Sequence, residues 1–460
     1  MPCILCFTLR NDIMSFYIKK PFWIGKIPLT GILIGLSAIF ASLGTISLYK
    51  LGSMHLKVYE LILIIVIMLL TIKMLEGKNV IINRTYLFLL GAFISITIFS
   101  IGNAEYPFVA AKQIFLLLIY VLLSISIVVS CSNRQSVLFI YQGLIYISIA
   151  LFVVELFHLL TLGNSSEKYG SGSYYFYRPR SFFSEANEFG QYLVFVIGLI
   201  VPQLISKKTL LNQKLLLLCF FLDLFLLIPN MSRGSWLGAM AIVVVSIFCL
   251  YRTGKIKIKA KSIIKIILLL GIIMIAFIMI IPKIIPVRST DSIYSVIKAR
   301  IASFLIFNDE TVSERYSFNL IGLHCLEKNP FLGIGFGNVF SVLPFGFDPA
   351  TGNRKIPEIG NATTANFIID IAAETGILGI SCFLLLLLHA IVTGFKNIRK
   401  AKDDNLMIMS TGATVATIGL AVNGISYASH LTPFLWLSIG MTYSLQKIIR
   451  KETVVMFPYQ

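Results

Sequence analysis

Four arginines are placed where they could bind an anion. Arg178 and Arg180 precede the apolar run that opens near Ala186, Arg233 heads the run that ends at Tyr251, and Arg315 sits in a polar stretch between two such runs. A guanidinium presents a planar fork of donors that matches two phosphate oxygens, and a helix N-terminus adds free amides and the positive end of a dipole. Ser232-Arg233-Gly234-Ser235 combines these parts: Ser232 can cap a helix, Gly234 admits close backbone approach, and Arg233 offers the fork. The competing reading is anchoring. Arginine near the end of a membrane helix snorkels to lipid headgroups, and the four rings at 174–177 suit an interfacial aromatic belt. Glu185 is placed to take a proton from an attacking hydroxyl, or equally to cap its helix or pair with an arginine. His324 is a second candidate base or a surface residue. Asn366 either holds a sugar or phosphate oxygen or contacts the start of its own helix.

Membrane helices must position these groups. Hydrophobic residues make up 57% of the 460 and charged residues 13%. With a mean hydropathy of +0.87, that is more apolar than soluble domains tolerate. The long unbroken apolar runs select helices rather than a barrel. Runs near the length of a span cover 28–48, 58–75, 85–101, 108–130, 137–162, 186–205, 211–228, 236–251, 263–285, 365–395, 406–428 and 433–449. The expected fold is therefore an all-α polytopic membrane protein of about 12 transmembrane helices, with one large extracytoplasmic loop between the ninth and tenth. Its segments are a cytoplasmic tail at 1–27, helices 1–9 over 28–287, the loop over 288–364, helices 10–12 over 365–449 and a second cytoplasmic tail at 450–460. Within the loop, an amphipathic helix is expected around Val312 to Leu326, followed by a Pro/Gly-rich stretch from Pro330 to Gly346.

The net charge of +18 could suggest nucleic acid. Its basic residues, however, alternate with apolar runs instead of sharing a soluble face, as the positive-inside bias requires. Lys73, Arg84, Arg134, Lys208, Lys255 and Lys402 fall in alternate connectors, which puts those connectors and both termini in the cytoplasm. The spans opening at Ala186, Trp236 and Ala365 then start at the outer face, and Arg178, Arg180, Arg233 and Arg315 lie outside against the bias. Seven scattered cysteines show no disulfide framework and no metal-ligand spacing. Glu155 and Asp223 fall inside spans, where a hydrated cavity or a neutral, hydrogen-bonded acid explains them equally. Gly31 and Gly35 are spaced as a helix-packing face.

The segment Arg180-Ser-Phe-Phe-Ser-Glu-Ala-Asn-Glu-Phe-Gly190 resembles a motif of the polysaccharide polymerase and O-antigen ligase superfamily, with Ala186 where the family pattern has proline. Met231-Ser-Arg-Gly-Ser-Trp236 is similar to the family's Ser-Arg-Gly at a helix start. Arg315 and the block Asn329-Pro-Phe-Leu-Gly-Ile-Gly-Phe-Gly337 follow in the family's order. Ala365-Asn366, then Ala373-Glu-Thr-Gly-Ile-Leu-Gly379, resembles the element that opens the helix after the big loop, with Ala365 where many ligases carry histidine. The resemblance covers residues 178–380. It implies transfer of a glycan from an undecaprenyl-diphosphate-linked oligosaccharide to a sugar hydroxyl at the outer face of the bacterial cytoplasmic membrane, with no cofactor and no metal.

On that reading Glu185, Arg180 and Arg315 are the candidate catalytic residues. Arg178, Arg233, Asn187, His324 and Asn366 are the candidate substrate-binding residues. The absent histidine favours polymerisation of repeat units over ligation to a terminal lipid or protein acceptor. A glycan flippase is the rival from another class, although transporters tend to show related halves and midplane charges that are not evident here. Membrane lipids, and a chain-length regulator and flippase of the same pathway, are the expected partners, and nucleic acid is not.

Overall fold

The computed structural model describes residues 13–14, 23–24, 27–41, 47–51, 54–57, 62, 64–65, 82–161, 178–183, 185–206, 208–253, 310–342, 364–427 and 430–456. The helices are α1 (Leu29–Ala41), α2 (Arg84–Phe99), α3 (Pro107–Ser130), α4 (Arg134–Thr161), α5 (Ala186–Ser206), α6 (Gln213–Leu227), α7 (Arg233–Arg252), α8 (Glu310–Lys328), α9 (Phe367–Lys400), α10 (Asp404–Gly424) and α11 (Pro433–Met456). Short antiparallel ladders pair Ile13–Met14 with Ile82–Asn83, Trp23–Ile24 with Ile27–Pro28, and Ser47–Leu51 with Met54–Lys57. Among the described residues, seven helical stretches are long and apolar enough to cross a membrane: 84–103, 107–130, 134–158, 186–206, 233–252, 367–400 and 404–424.

The expected span at 263–285 lies outside the described residues, as do all of 58–75 except 62 and 64–65 and most of the 288–364 segment. Of the span expected over 28–48, Leu29–Ala41 is described as a helix. Residues Ser47–Leu51 form a strand paired with Met54–Lys57. The amphipathic helix expected at 312–326 is α8. It turns Phe318 and Cys325 inward against Ala373 and Val339.

Water is not there to drive these helices together, so close approach of backbones and satisfied polar groups must do it. Helix α10 lies centrally against α5 and α7. A Cβ on Gly198 of α5 would stand 2.8 Å from Ala416 Cα, and one on Gly238 of α7 would stand 2.6 Å from Gly419 O. The packing face read from Gly31 and Gly35 holds at Gly35, whose position abuts the Phe139 ring on α4.

The two ends of the bundle are polar for different reasons. At one end Arg134 pairs with Asp403 at 3.0 Å, Lys208 pairs with Asp404, and the Lys447 amine donates to Val128 O and Val129 O at the close of α3. Basic connectors that are separate in sequence thus share one face. At the opposite end lie the starts of α5, α7 and α9 and the close of α10, where the arginine motifs fall.

Candidate functional site

The turn at 178–183 is shaped by a buried carboxylate below it. Glu155 Oε1, on α4, accepts from the backbone N–H of Arg180 at 3.1 Å and from that of Ser181. Ser181 has φ 49°, a left-handed conformation that a non-glycine residue adopts only when its surroundings hold it. Phe183 pins the other side of the turn, stacking on Phe189 at 5.5 Å with Tyr192 and Phe434 each 5.9 Å away. The carboxylate noticed inside a span therefore braces the arginine motif.

Asn230 ties this turn to the next motif. Its side-chain amide donates to Pro179 O at 3.0 Å and Ala186 O at 2.6 Å, while its backbone carbonyl accepts from Arg178 Nε at 2.9 Å. Arg178 also donates to Asn187 Oδ1 at 3.0 Å and is buried. A buried guanidinium is tolerable only when acceptors surround it. Arg178 and Asn187 thus hold the start of α5 against the start of α7, whereas Arg180, Arg233 and Arg315 are half-buried. Met231, just ahead of α7, is strained in the same sense as Ser181, with φ 56°. Ser232 occupies the cap position of α7, but its hydroxyl accepts from Ser235 Oγ at 2.9 Å and makes no cap hydrogen bond to the backbone.

The close of α10 completes the assembly. Asn423 Nδ2 donates to Ser235 Oγ at 2.8 Å, and the backbone at Gly234 lies so close to Ser426 Oγ that a Cβ would strike it. Arg315 Nη1 reaches from α8 to Ser426 O at 2.8 Å, and Tyr427 Oη donates to Glu185 Oε2 at 3.2 Å. The motifs of Arg180, Arg233 and Arg315 and the carboxylate of Glu185 are thereby joined through residues 423–427. Nothing in the sequence singled out those residues.

The remaining candidates are placed differently. His324 is exposed on α8, with Nδ1 3.4 Å from Glu327 Oε2. Asn366 caps α9, its Oδ1 accepting from Ile368 N at 2.9 Å, which is the helix-contact alternative of the two read from sequence.

The glycine-rich block has a definite task. Helix α9 breaks at Gly376, with φ 66° and ψ −170°, which frees carbonyls one turn earlier. Ile334 N donates to Ala373 O at 2.9 Å, Gly335 N to Glu374 O at 3.1 Å, and Ile377 N to Pro330 O at 2.7 Å. Gly333, Gly335 and Gly337 all have positive φ, and a Cβ on Gly333 would meet the backbone of Glu374. Asn103 and Ser100 hold the block from behind, through Gly333 O at 3.0 Å and Phe336 N at 3.0 Å. Its backbone thus repairs a broken helix where α8 leads onto α9.

A buried cluster of side chains lies beside the break. Asp370, Glu374 and His430 are buried together, and their ligand atoms lie within 4.8 Å of one another. The four-residue spacing of Asp370 and Glu374 was readable as one helix face. Their meeting with His430 was not, because the histidine comes from the α10–α11 connector.

These arrangements define a polytopic helical membrane protein with an arginine-bearing site at one end of the bundle. Residues 218–384 match the family model described as O-antigen ligase. That match supports a place for the chain in the O-antigen ligase and polymerase-like superfamily. Among curated proteins, none matches the chain.

Proposed function

We propose that the protein is a glycosyltransferase that polymerises undecaprenyl-diphosphate-linked oligosaccharide repeats at the outer face of the bacterial cytoplasmic membrane. The observation that carries this is the joining of the Arg180, Arg233 and Arg315 motifs through residues 423–427, within and beside the segment that matches the O-antigen ligase family.

In the reaction, an acceptor sugar hydroxyl attacks the anomeric carbon and its proton passes to Glu185. The bond from that carbon to the diphosphate oxygen breaks, and undecaprenyl diphosphate leaves with the electron pair. Charge develops on the diphosphate, where Arg180, Arg233, Arg315 and the free amides of the α5 and α7 N-termini stabilise it without reorganising. Arg178 and Asn187 position that floor. Tyr427, by donating to Glu185, sets the carboxylate's orientation. Ligation to a terminal lipid acceptor is the second reading, favoured by the description of the matched family, whereas Ala365 in the place of the family's histidine weighs against it.

The test is the purified protein in liposomes with undecaprenyl-diphosphate oligosaccharide, read as product ladders. Removing one charge-assisted hydrogen-bonding arm costs about 1.5–3 kcal/mol, so Arg233→Ala and Arg315→Ala should each slow ladder growth by roughly 10- to 100-fold. Transfer of a single block to a terminal acceptor would establish ligation instead. Lipid movement without a new glycosidic bond would remove the enzymatic reading.

A further inference from the structure

We propose that Asp370, Glu374 and His430 form a binding site for a divalent transition-metal cation, built where the break in α9 meets the α10–α11 connector. It stands apart from the reaction assigned to the arginines and does not depend on it.

All three side chains are almost wholly buried: Asp370 and His430 are each 1% exposed and Glu374 3%. Each carboxylate uses one oxygen for the protein and leaves the other bare. Asp370 Oδ1 accepts from Thr364 N at 2.7 Å, and Glu374 Oε1 from Val339 N at 3.5 Å. Asp370 Oδ2, Glu374 Oε2 and both ring nitrogens of His430 are buried without a hydrogen-bond partner. Among the described residues, the one ion-pairing contact made by these carboxylates is that of Asp370 Oδ2 to His430 Nε2, at 3.9 Å, too long for a hydrogen bond. Leaving several polar atoms bare at this depth costs more than a fold normally tolerates, unless a further group binds them.

The donor set says what that group is. With both carboxylates ionised and the imidazole neutral, as ligands to a metal must be, the three would carry two negative charges, which a divalent cation balances. A neutral imidazole offers one ring nitrogen lone pair to a metal, and both ring nitrogens of His430 are without a hydrogen-bond partner. Mixed oxygen and imidazole ligands suit Mn2+ or Zn2+ better than Mg2+ or Ca2+, which prefer oxygen alone. Ligand atoms around such an ion stand about 3.0–3.4 Å apart, so the present 4.8 Å envelope closes by small side-chain rotations. The oxygens already committed to Thr364 N and Val339 N would orient the ligands from behind.

A bound ion would act as a clip. Thr364 and Val339 belong to the chain between α8 and α9, and His430 to the connector beyond α10. Arg315 rests on Ser426, a few residues before His430. The ion would therefore fasten the segment carrying the glycine-rich block to the element against which Arg315 is seated.

The experiment uses the full chain purified in detergent, stripped with a chelator, dialysed, and incubated with Mn2+ or Zn2+ alone before gel filtration. Retention of about one ion per chain by elemental analysis, with an unfolding midpoint raised by several degrees, is the expected result. Asp370→Asn and His430→Gln should each lose both the ion and the shift. If a variant fails to fold, electron paramagnetic resonance of Mn2+ bound to the unaltered protein decides the matter, with nitrogen coupling from one imidazole expected. Three outcomes would overturn the site: no retained ion with either metal, retention undiminished in both folded variants, or a wild-type spectrum without nitrogen coupling.

Discussion

Asn230 shows how much one uncharged side chain can decide. Its side-chain amide holds the carbonyls of Pro179 and Ala186, so two backbone groups of the arginine motif depend on it, while its backbone carbonyl receives Arg178. Asn230→Ala should leave the two buried carbonyls of Pro179 and Ala186 short of a partner, while Arg178 keeps its bond to the backbone carbonyl of residue 230. A loss of about 2–4 kcal/mol follows from such desolvated groups, read as a lowered unfolding midpoint in detergent. Arg178 and Arg180 look alike in sequence, two residues apart and both ahead of α5. Their difference is set by burial: Arg178 is buried between the starts of α5 and α7, while Arg180 is half-buried, with its backbone N–H held by Glu155. The roles of arginines near a helix start cannot be separated by spacing.

Helix α9 and the glycine-rich block form a single device. The positive φ at Gly376 and the contact of a Cβ there with the Phe331 backbone make Gly376→Ala doubly unfavourable. Strain of this kind costs about 1–3 kcal/mol before any steric clash is counted, so the variant should unfold at a clearly lower temperature. Gly91, on the exposed side of α2, has nothing within 4 Å of an added Cβ. Gly91→Ala should therefore be neutral or gain up to about 1 kcal/mol from helix propensity. If both substitutions behaved alike in thermal unfolding, the role given to the α9 break would fail. The block's Pro/Gly composition was legible, and so was its turn-like character. Its docking partner was not, because backbone carbonyls freed by a distant helix break leave no mark in composition.

The arrangement of charge across the bundle yields a topology prediction. Arg134, Lys208, Asp403, Asp404 and Lys447 gather at one end, and the arginine motifs gather with Ser426 and Glu185 at the other. The positive-inside bias assigns the first end to the cytoplasm. In a cysteine-free background, Ile425→Cys should react with a membrane-impermeant maleimide applied to spheroplasts, and Lys402→Cys should react only after permeabilisation. The reverse pattern would invert the orientation and move the proposed site to the cytoplasmic face.

By itself the sequence determined that this chain lives in a membrane, where most of its helices run, and which arginines stand apart from the charge bias. Those properties are local: apolar run length, the sign of connectors and the identity of a motif are written within a few tens of residues. Tertiary structure decided which parts of the motifs are braces, that residues 423–427 join the starts of α5 and α7 to Arg315, and that a lone histidine meets a pair of carboxylates. Those properties depend on contacts between elements far apart in sequence, fixed by the close packing of α10 against α5 and α7. The four arginines thus divide by their surroundings, one buried where it holds the starts of α5 and α7 together and three half-buried beside them.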